Sequence, residues 1–412
     1  MKISLKRIDL WKILYLYLIF QPTLSDSVKV PVLSTIIQYS DEVIAVALLL
    51  IVLAKYKFEV HLLPFERKML FFLFVFEFIG IVSGLYYQYQ SIRYMFVDAF
   101  TCVKFLVFYY CARILTKGKL TDKFFFSLNN ICKMLAVVLF LLTIHELVFT
   151  PWWPKGDFRL FTNSIKLFFF HQEQLARACF AIMCVLGYNH RYYHNNIFYM
   201  LALSFVAFFT FRTKAIVTLF AFYIIYIYFI RIGLRNKLPI AIGGIAGAVY
   251  LGYDSFQNYY VNHEDAARRI LQEDAINLAN KYFPLGTGFG SFASSMAAQH
   301  YSKLYIKLLY YKSPDLGRKS EFLSDTFWPI LFAQTGWIGT GAFCLGVLNM
   351  AIYIIKSSKK DIFFFWIASS IFIYDIITSF AAPAFFHPSS MVCYLLLGLM
   401  VSIYEFPQRE SV

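Results

Sequence analysis

The sequence predicts an all-α polytopic membrane protein with about twelve transmembrane helices. Of its 412 residues, 59% are hydrophobic and only 15% are charged, against about 25% in an average soluble domain. Aromatic residues reach 20%. This composition excludes a soluble, disordered or fibrous protein, and the apolar residues fall in runs of the length that crosses a bilayer.

Twelve apolar runs divide the chain, because a helix needs about 20 such residues to span a bilayer. The first follows a basic N-terminus without a small-residue cleavage site, so we expect an uncleaved span. The predicted spans are 8–24, 36–54, 69–87, 94–115, 128–150, 174–189, 196–211, 213–230, 238–254, 327–355, 361–380 and 389–405. Three regions follow: residues 1–254 with spans one to nine, residues 255–326 as a large outer loop, and residues 327–412 with spans ten to twelve and a short cytoplasmic tail.

The net charge of +14 fits a membrane topology better than nucleic-acid binding, which we do not expect. With the N-terminus in the cytoplasm, nineteen basic residues fall in cytoplasmic segments. The short outer loops hold four, which are Lys29, Arg93, Arg212 and Lys214. This asymmetry predicts that both termini are cytoplasmic.

The seven cysteines all lie in or beside apolar runs, and none forms a CxxC pair. We therefore expect small buried side chains rather than disulfides, a zinc site or any other metal site. No cofactor is expected.

The large outer loop is the only part of the chain with a soluble character. Residues Glu264–Lys281 carry apolar side chains on one helical face, at Ala267, Ile270, Leu271, Ala275 and Leu278. A second helix, lying at the membrane surface, is predicted within Tyr301–Tyr311. Arg268 and Arg269 lie on the first helix, and Arg269 is off the apolar face, where it either reaches an outer cavity or is simply solvated.

Arg212 and Lys214 interrupt an otherwise apolar stretch from Asn196 to Ile230. Charged groups at such a position are costly and usually have a partner or a ligand. The alternative is that both snorkel to lipid headgroups. Because Arg binds phosphate through a two-pronged donor pair, a phosphate-bearing lipid is the expected ligand.

A glycine-rich segment lies between the amphipathic helix and the return to the membrane. Gly286, Gly288 and Gly290 alternate with other residues, and such spacing permits tight turns and close approach to a ligand. The segment is neither a P-loop nor a Rossmann fingerprint. The alternative is a loop that simply re-enters the bilayer edge.

Polar residues also cluster at two predicted span entrances. Ser324 and Asp325 precede span ten, where Asp325 either acts as a general base or caps the helix. Near span six lie Arg159, His171, Glu173 and Arg177. His171 and Glu173 are candidates for acid–base work or belong to an interfacial collar. Arg177 needs a partner, and Glu173 at i−4 is available.

Taken in order, these motifs resemble the O-antigen polymerase/O-antigen ligase superfamily of bacterial membrane glycosyltransferases (Wzy-type). Thr210–Lys214 resembles the Ser/Thr-Arg turn of that family, and Arg268-Arg269 resembles its Arg before the loop helix. Pro284–Phe292 resembles its P-x-x-G-x-G-x-G-x-F segment. Ser324-Asp325 through Gly336-Trp337-Ile338-Gly339 resembles its return span.

The resemblance implies a fold similar to C-type lipid-dependent glycosyltransferases and a site on the periplasmic side of the bacterial inner membrane. It implies transfer of a growing glycan from undecaprenyl pyrophosphate to the next lipid-linked repeat, without metal or nucleotide sugar. Lipid-linked donor and acceptor, the bilayer and a chain-length regulator are the implied partners. Carried over by position, Arg212 would bind pyrophosphate, assisted by Arg268 or Arg269, and Lys214 would lie beside it.

Two departures from the family pattern bear on the activity. Ser324-Asp325 stands where the ligase branch has a His, which favours polymerase over ligase. Gln334 replaces the Glu of the E-x-G-x-x-G pattern, so a catalytic carboxylate is not expected there. The alternatives are an O-antigen ligase, a lipid-linked oligosaccharide flippase or transporter, and a scaffold without chemistry. Polar residues concentrated at the outer face argue against transport.

Overall fold

The computed structural model describes residues 7–57, 59–154, 156–159, 162–231, 267–313, 315–318 and 320–406, and this part of the chain is mostly helical. The helices are α1 (Arg7–Ser27), α2 (Pro31–Gln38), α3 (Ser40–Tyr56), α4 (Pro64–Tyr87), α5 (Ile92–Thr116), α6 (Asp122–Val148), α7 (Gln172–Tyr188), α8 (Asn196–Phe208), α9 (Thr213–Tyr226), α10 (Ala267–Lys281), α11 (Ser295–Gln299), α12 (Lys303–Lys307), α13 (Trp328–Ser357), α14 (Ile362–Ser379) and α15 (Pro388–Glu405). Two-residue strands β1 (Phe158–Arg159) and β2 (Thr162–Asn163) pair antiparallel.

Six helical segments of the described residues are long and apolar enough to cross a membrane, which is typical of a membrane protein. They are Pro64–Tyr87, Ile92–Thr116, Lys123–Val148, Thr213–Ile230, Trp328–Ser357 and Ile362–Ser379. The pair α2 and α3, bent by 45°, adds a seventh if it is one broken span. The predicted number of twelve is therefore not confirmed, and predicted span 238–254 lies outside the described residues.

The other predicted spans form helices that fall short in length or apolar character, which are α1, α7, α8 and α15. Of these, α7 has only 17 residues, and nearly all of them are buried. It packs between α1, α6, α8 and α14 in the interior of the bundle. An apolar run indicates that its side chains are shielded from water. Other helices can provide this shielding as well as lipid can.

Helix ends gather at two opposite ends of the bundle. At one end, Gln174 at the start of α7 hydrogen-bonds Asp26 at the end of α1, with an Nε2–Oδ2 distance of 2.8 Å. The segment after α10 packs there too, where the amide of Phe289 donates to Gly80 of α4. We call this the loop end.

The opposite end, the far end, holds two ion pairs between predicted cytoplasmic residues. Arg113 of α5 bonds Glu66 of α4 with an Nη2–Oε2 distance of 2.7 Å, and both side chains are buried. Arg191 reaches Asp361 at the start of α14 at 2.8 Å. The first pair joins α4 to α5, and the second joins the turn after α7 to the start of α14.

The described part of the large loop packs as a folded cap on the bundle. The predicted amphipathic helix is confirmed from Ala267 to Lys281, and it lies on α13. Its buried positions include the predicted Ala267, Leu271, Ala275 and Leu278. The second predicted helix is wrong in length, because only Lys303–Lys307 is α-helical and Leu304 and Tyr305 are buried.

Candidate active site

The carboxylate of Glu173 lies at the centre of the polar cluster at the loop end. Arg177 bonds it from one helical turn further along α7, which confirms the predicted i−4 partner. Lys214 of α9 reaches the same oxygen, Oε1, at 2.5 Å. The side chains of Arg177 and Lys214 are 7% and 15% exposed. One carboxylate thus faces two largely buried cations, and this group carries a net positive charge.

The turn between α8 and α9 brings Lys214 and Arg212 to this point. Phe211 adopts a left-handed backbone conformation with φ of 49°, and Arg212 is the N-cap residue of α9. The amide of Ile165 donates to the carbonyl of Phe209, which fastens the turn to the loop before α7. Because the turn between α8 and α9 is short and fastened in this way, Arg212 and Lys214 lie near the start of α7.

Arg212 is held by an uncharged partner. Its Nη2 donates to Oε1 of Gln172 at 2.7 Å, and Gln172 Nε2 in turn donates to Oγ of Ser164 at 3.1 Å. Among the described residues, no carboxylate forms an ion pair with Arg212. A guanidinium that is oriented by an amide but not neutralised is suited to an anionic ligand.

Asp325 joins the cluster from the end of the large loop. Arg268 of α10 forms an ion pair with Asp325, whose side chain is 34% exposed. Burial raises the pKa of the Asp325 carboxyl above its ordinary value, while Arg268 opposes this most strongly and Lys214 also lowers it. Glu173 raises the pKa further. Asp325 therefore lies within the electric field of the Glu173 group.

The alternative that Ser324 or Asp325 caps the following helix is wrong. The N-cap of α13 is Phe327, and no side chain caps it. Asp325 instead ends the short 3-10 turn Glu321–Ser324, with its side chain turned to Arg268. Its carboxylate is thus not engaged by a helix terminus.

His387 is part of the cluster, and the sequence did not single it out. It lies in the link between α14 and α15, where its Nδ1 is 2.6 Å from Nη1 of Arg177. A guanidinium only donates, so Nδ1 accepts and the ring proton is on Nε2. Burial and the positive Arg177 lower the pKa of His387 well below its usual value. A neutral imidazole at this place can donate a proton in a hydrogen bond but does not add charge.

The glycine-rich segment packs into the helix bundle. The amides of Thr287 and Gly288 donate to the carbonyls of Ala333 and Gln334, and the amide of Gly290 donates to Oδ2 of Asp98 at 2.7 Å. A Cβ on Gly286 would come within 2.5 Å of the backbone of α13. These bonds give the segment a packing role, and ligand contact by Gly286, Gly288 or Gly290 stays a prediction.

Four other predicted site residues lie around the cluster. Ser324 borders a cavity beside His387. Arg269 pairs with Glu273 on the exposed side of α10, so of the two loop arginines Arg268 is the one that meets Asp325. His171 is exposed at the start of α7 and has a ring contact with Phe170. Arg159 lies in β1.

A second buried ionic group lies near the cluster, and its residues are not among the predicted site residues. Lys104, in the middle of α5, bonds both Asp41 and Glu42 at the start of α3. Lys104 and Asp41 are fully buried. The signal that would have found them is a lysine inside an apolar span, since such a residue needs a partner within the bundle.

No group of three or more His, Cys, Asp or Glu residues that could hold a metal ion occurs within the ranges that the structure describes. All seven cysteines are free. The groups that the cluster at the loop end can offer to a ligand are its cations, a carboxylate and a neutral imidazole.

Comparison with known proteins gave no family model that matches the chain and no curated protein that is significantly similar to it.

Proposed function

We propose that the protein is a membrane glycosyltransferase of the polysaccharide-polymerase type, which transfers a growing glycan from undecaprenyl pyrophosphate to the next lipid-linked repeat. The observation that carries the proposal is the position of Arg212. This arginine is oriented by Gln172, lies beside the cationic Glu173 group and has no carboxylate partner among the described residues. A pyrophosphate would find Arg212, Lys214 and Arg177 at one place.

In the proposed reaction the acceptor hydroxyl oxygen attacks the anomeric carbon of the donor. The bond from that carbon to the pyrophosphate oxygen breaks, and the pyrophosphate leaves with the electron pair. Arg212 and Lys214 stabilise the negative charge on the leaving group, and preorganised cations serve this purpose best in a site that excludes water. The sugar–oxygen bond forms as the hydroxyl loses its proton.

Asp325 is the proposed acceptor of that proton. Its pKa is raised by burial, which makes it a stronger base than an exposed aspartate, while Arg268 keeps it ionised. On transfer, the proton neutralises Asp325. Arg268 then no longer faces the negative charge of Asp325 and can interact with the charge on the leaving pyrophosphate.

The proposal places the loop end at the outer face of the bacterial inner membrane, and both termini in the cytoplasm. The far-end residues Arg113 and Arg191 would then face the cytoplasm with the basic residues beside them, as the positive-inside rule requires. An O-antigen ligase would use the same cations, so the acceptor decides between the two activities. A flippase would need polar groups along a central path.

The test is the glycan ladder of a deletion strain, resolved by gel beside the complemented strain. A polymerase predicts loss of long chains, with single repeats still attached to the final acceptor. Long chains stranded on the undecaprenyl carrier would instead identify a ligase. An unchanged ladder would contradict both and return the flippase or transporter as the leading hypothesis.

A further inference from the structure

A cavity of about 120 Å³ lies directly beside the cation cluster. It is partly open and is lined by the start of α3, the first half of α5, the segment after the glycines, the start of α13 with Ser324 before it, and the link between α14 and α15. Since a single water site needs at least about 10–15 Å³ by this measure, the space holds several water molecules. That volume suits a monosaccharide ring and is too small for a whole oligosaccharide.

Two residues connect the cavity to the proposed reaction centre. His387 lines it while its Nδ1 accepts from Arg177. Ser324 also lines it, and the next residue, Asp325, pairs with Arg268. A ligand in this cavity would therefore lie near the proposed base, which is one residue along the chain from Ser324.

The polar lining of the cavity is not suited to a phosphate. Lys104 is its only wholly buried cation among the described lining residues, and Asp41 and Glu42 already neutralise it. Asp41 alone balances the charge of Lys104, so this group offers no net positive charge to an anion. An anion would find the cations of the Glu173 group, on the other side of His387, far more favourable.

The same lining suits the hydroxyl groups of a sugar. Glu42 Oε2 is buried and has no hydrogen-bond partner within the described part of the chain, so it can accept from a ligand hydroxyl. An unpaired buried carboxylate oxygen is costly, and a ligand hydroxyl would remove that cost. Ser294 and Gln38 add groups that donate and accept, and Tyr39 contributes an aromatic wall.

The floor of the cavity is held rigidly. Asp98 of α5 accepts from the amide of Gly290 at 2.7 Å, and Ser294 and Gln334 lie close to its carboxylate. Gln334 Nε2 donates to the carbonyl of Phe292 at 2.7 Å. The glycine-rich segment thus fixes one wall of this cavity, and a rigid wall is what selective hydroxyl recognition requires.

We propose that this cavity is the subsite for the sugar of the acceptor, and that it binds an uncharged, polyhydroxylated ring through Glu42 and Ser294. That this sugar belongs to the acceptor rests on the proposed function, whereas the binding of a neutral sugar depends on the cavity alone. The pyrophosphate and the acceptor sugar then occupy separate places on the two sides of His387.

The test measures binding and not turnover. The probe is the oligosaccharide of one repeat unit, released by mild acid from the lipid-linked intermediates of the host, so that it carries no phosphate. Calorimetric titration of the purified full chain in detergent gives its Kd. Inorganic pyrophosphate, titrated separately, reports on the cation cluster.

Val97→Phe fills the cavity without changing a charge, because Val97 lines it from α5. The matched control is Val103→Phe on the same helix, since Val103 is not part of the lining. We expect Val97→Phe to weaken oligosaccharide binding at least tenfold and Glu42→Gln to weaken it about fivefold. The oligosaccharide affinity of Val103→Phe should stay within twofold of the wild type. The affinity of the variants for pyrophosphate should also stay within twofold.

Three results would overturn the assignment: no oligosaccharide binding by the wild-type chain, unchanged binding by Val97→Phe, or equal weakening by Val103→Phe. Failure of the proposed function is distinguishable, because it is seen in the glycan ladder. An unchanged ladder together with binding that depends on Val97 would keep the sugar site and remove the polymerase.

Discussion

Nη1 of Arg177 lies 2.6 Å from Nδ1 of His387, although 210 residues separate them. The pair links α7, deep in the bundle, to the connection between α14 and α15. Through Arg177 it reaches Glu173 and Lys214, and through His387 it reaches the cavity beside Lys104. Two groups of charges that are far apart in the sequence thus form one continuous polar region.

Replacing Arg212 tests the anion site most directly. We expect Arg212→Ala to lower glycan transfer about a hundredfold or more, because one preorganised donor to developing charge is commonly worth that much. Arg212→Lys should recover part of the activity, since it keeps the charge but loses the two-pronged geometry.

The measurement for Arg212 is transfer to a lipid-linked acceptor in vesicles that contain equal amounts of inserted protein. Arg93→Ala is the matched control, because Arg93 is another predicted outer arginine and is exposed. Full activity of a well-inserted Arg212→Ala protein would contradict the site assignment.

The pH dependence of transfer tests Asp325 as the base. The base must be ionised, so activity should be lost as the pH falls through the pKa of Asp325, which burial raises above its ordinary value. Arg268 lowers that pKa, so removing it in Arg268→Gln should raise the pKa and move the acid limb of the rate profile to higher pH.

Arg269→Gln is the control for this shift, because Arg269 pairs with Glu273 on the exposed side of α10. Its profile should match the wild type. If both arginine variants moved the acid limb equally, the shift would reflect the net charge of the loop, and Asp325 would not be the titrating group.

Two ion pairs with the same i,i+4 spacing should differ in their effect on stability. Glu173→Gln leaves Arg177 and Lys214 without their shared carboxylate, and breaking a buried pair in this way costs about 3 kcal/mol of unfolding free energy. Glu273→Gln removes the partner of Arg269 at an exposed site, where such pairs contribute about 1 kcal/mol or less.

Unfolding of the two variants can be followed by circular dichroism at increasing denaturant concentration in detergent. The comparison is internal, since both changes convert Glu to Gln next to an arginine. Equal loss of stability in the two variants would mean that Glu173 is not the ionic centre of the loop end.

Substitutions at Gly288 and Gly118 distinguish the effect of close packing from the effect of backbone conformation. Both have positive φ angles, 91° and 62°. A Cβ on Gly288 would lie 2.2 Å from Cα of Gly84, whereas one on Gly118 would meet nothing within 4 Å. Gly118→Ala should therefore cost about 1–2 kcal/mol from the left-handed conformation alone. Gly288→Ala should destabilise the chain well beyond that or prevent its insertion.

Thermal unfolding and the yield of detergent-soluble protein measure this difference between the glycine variants. A Gly288→Ala protein as stable as Gly118→Ala would show that the segment does not pack against α4. The glycines would then be available for the ligand contact that the sequence alone suggested.

Local features were predictable wherever neighbours in the sequence decide them. The amphipathic loop helix follows from the spacing of Ala267, Leu271, Ala275 and Leu278, and these residues are buried. The Arg177–Glu173 pair follows from the i,i+4 geometry of a helix. Neither inference needed knowledge of any other part of the chain.

The number of spans was less predictable, because an apolar run does not show which surface covers it. The 17 residues of α7 are covered by other helices on nearly all sides, so the run is apolar without being long enough to span the bilayer alone. Asp325 shows the same limit for polar residues. Its position favoured a helix cap as much as a catalytic role, and only its pairing with Arg268 in the folded chain showed that it is not a cap.

The sequence by itself determined that this is a mostly helical chain with membrane-spanning helices, and it marked Arg212, Lys214, Glu173 and Asp325 through the cost of charge beside apolar runs. Only the tertiary structure decided that one carboxylate serves two cations, that His387 joins them, and that Lys104 lies beneath a cavity. The physical reason is the sequence separation over which each effect acts. Helical periodicity and hydrophobicity act between neighbours in the sequence, whereas the partner of a charge is chosen by the packing of helices that lie far apart in it.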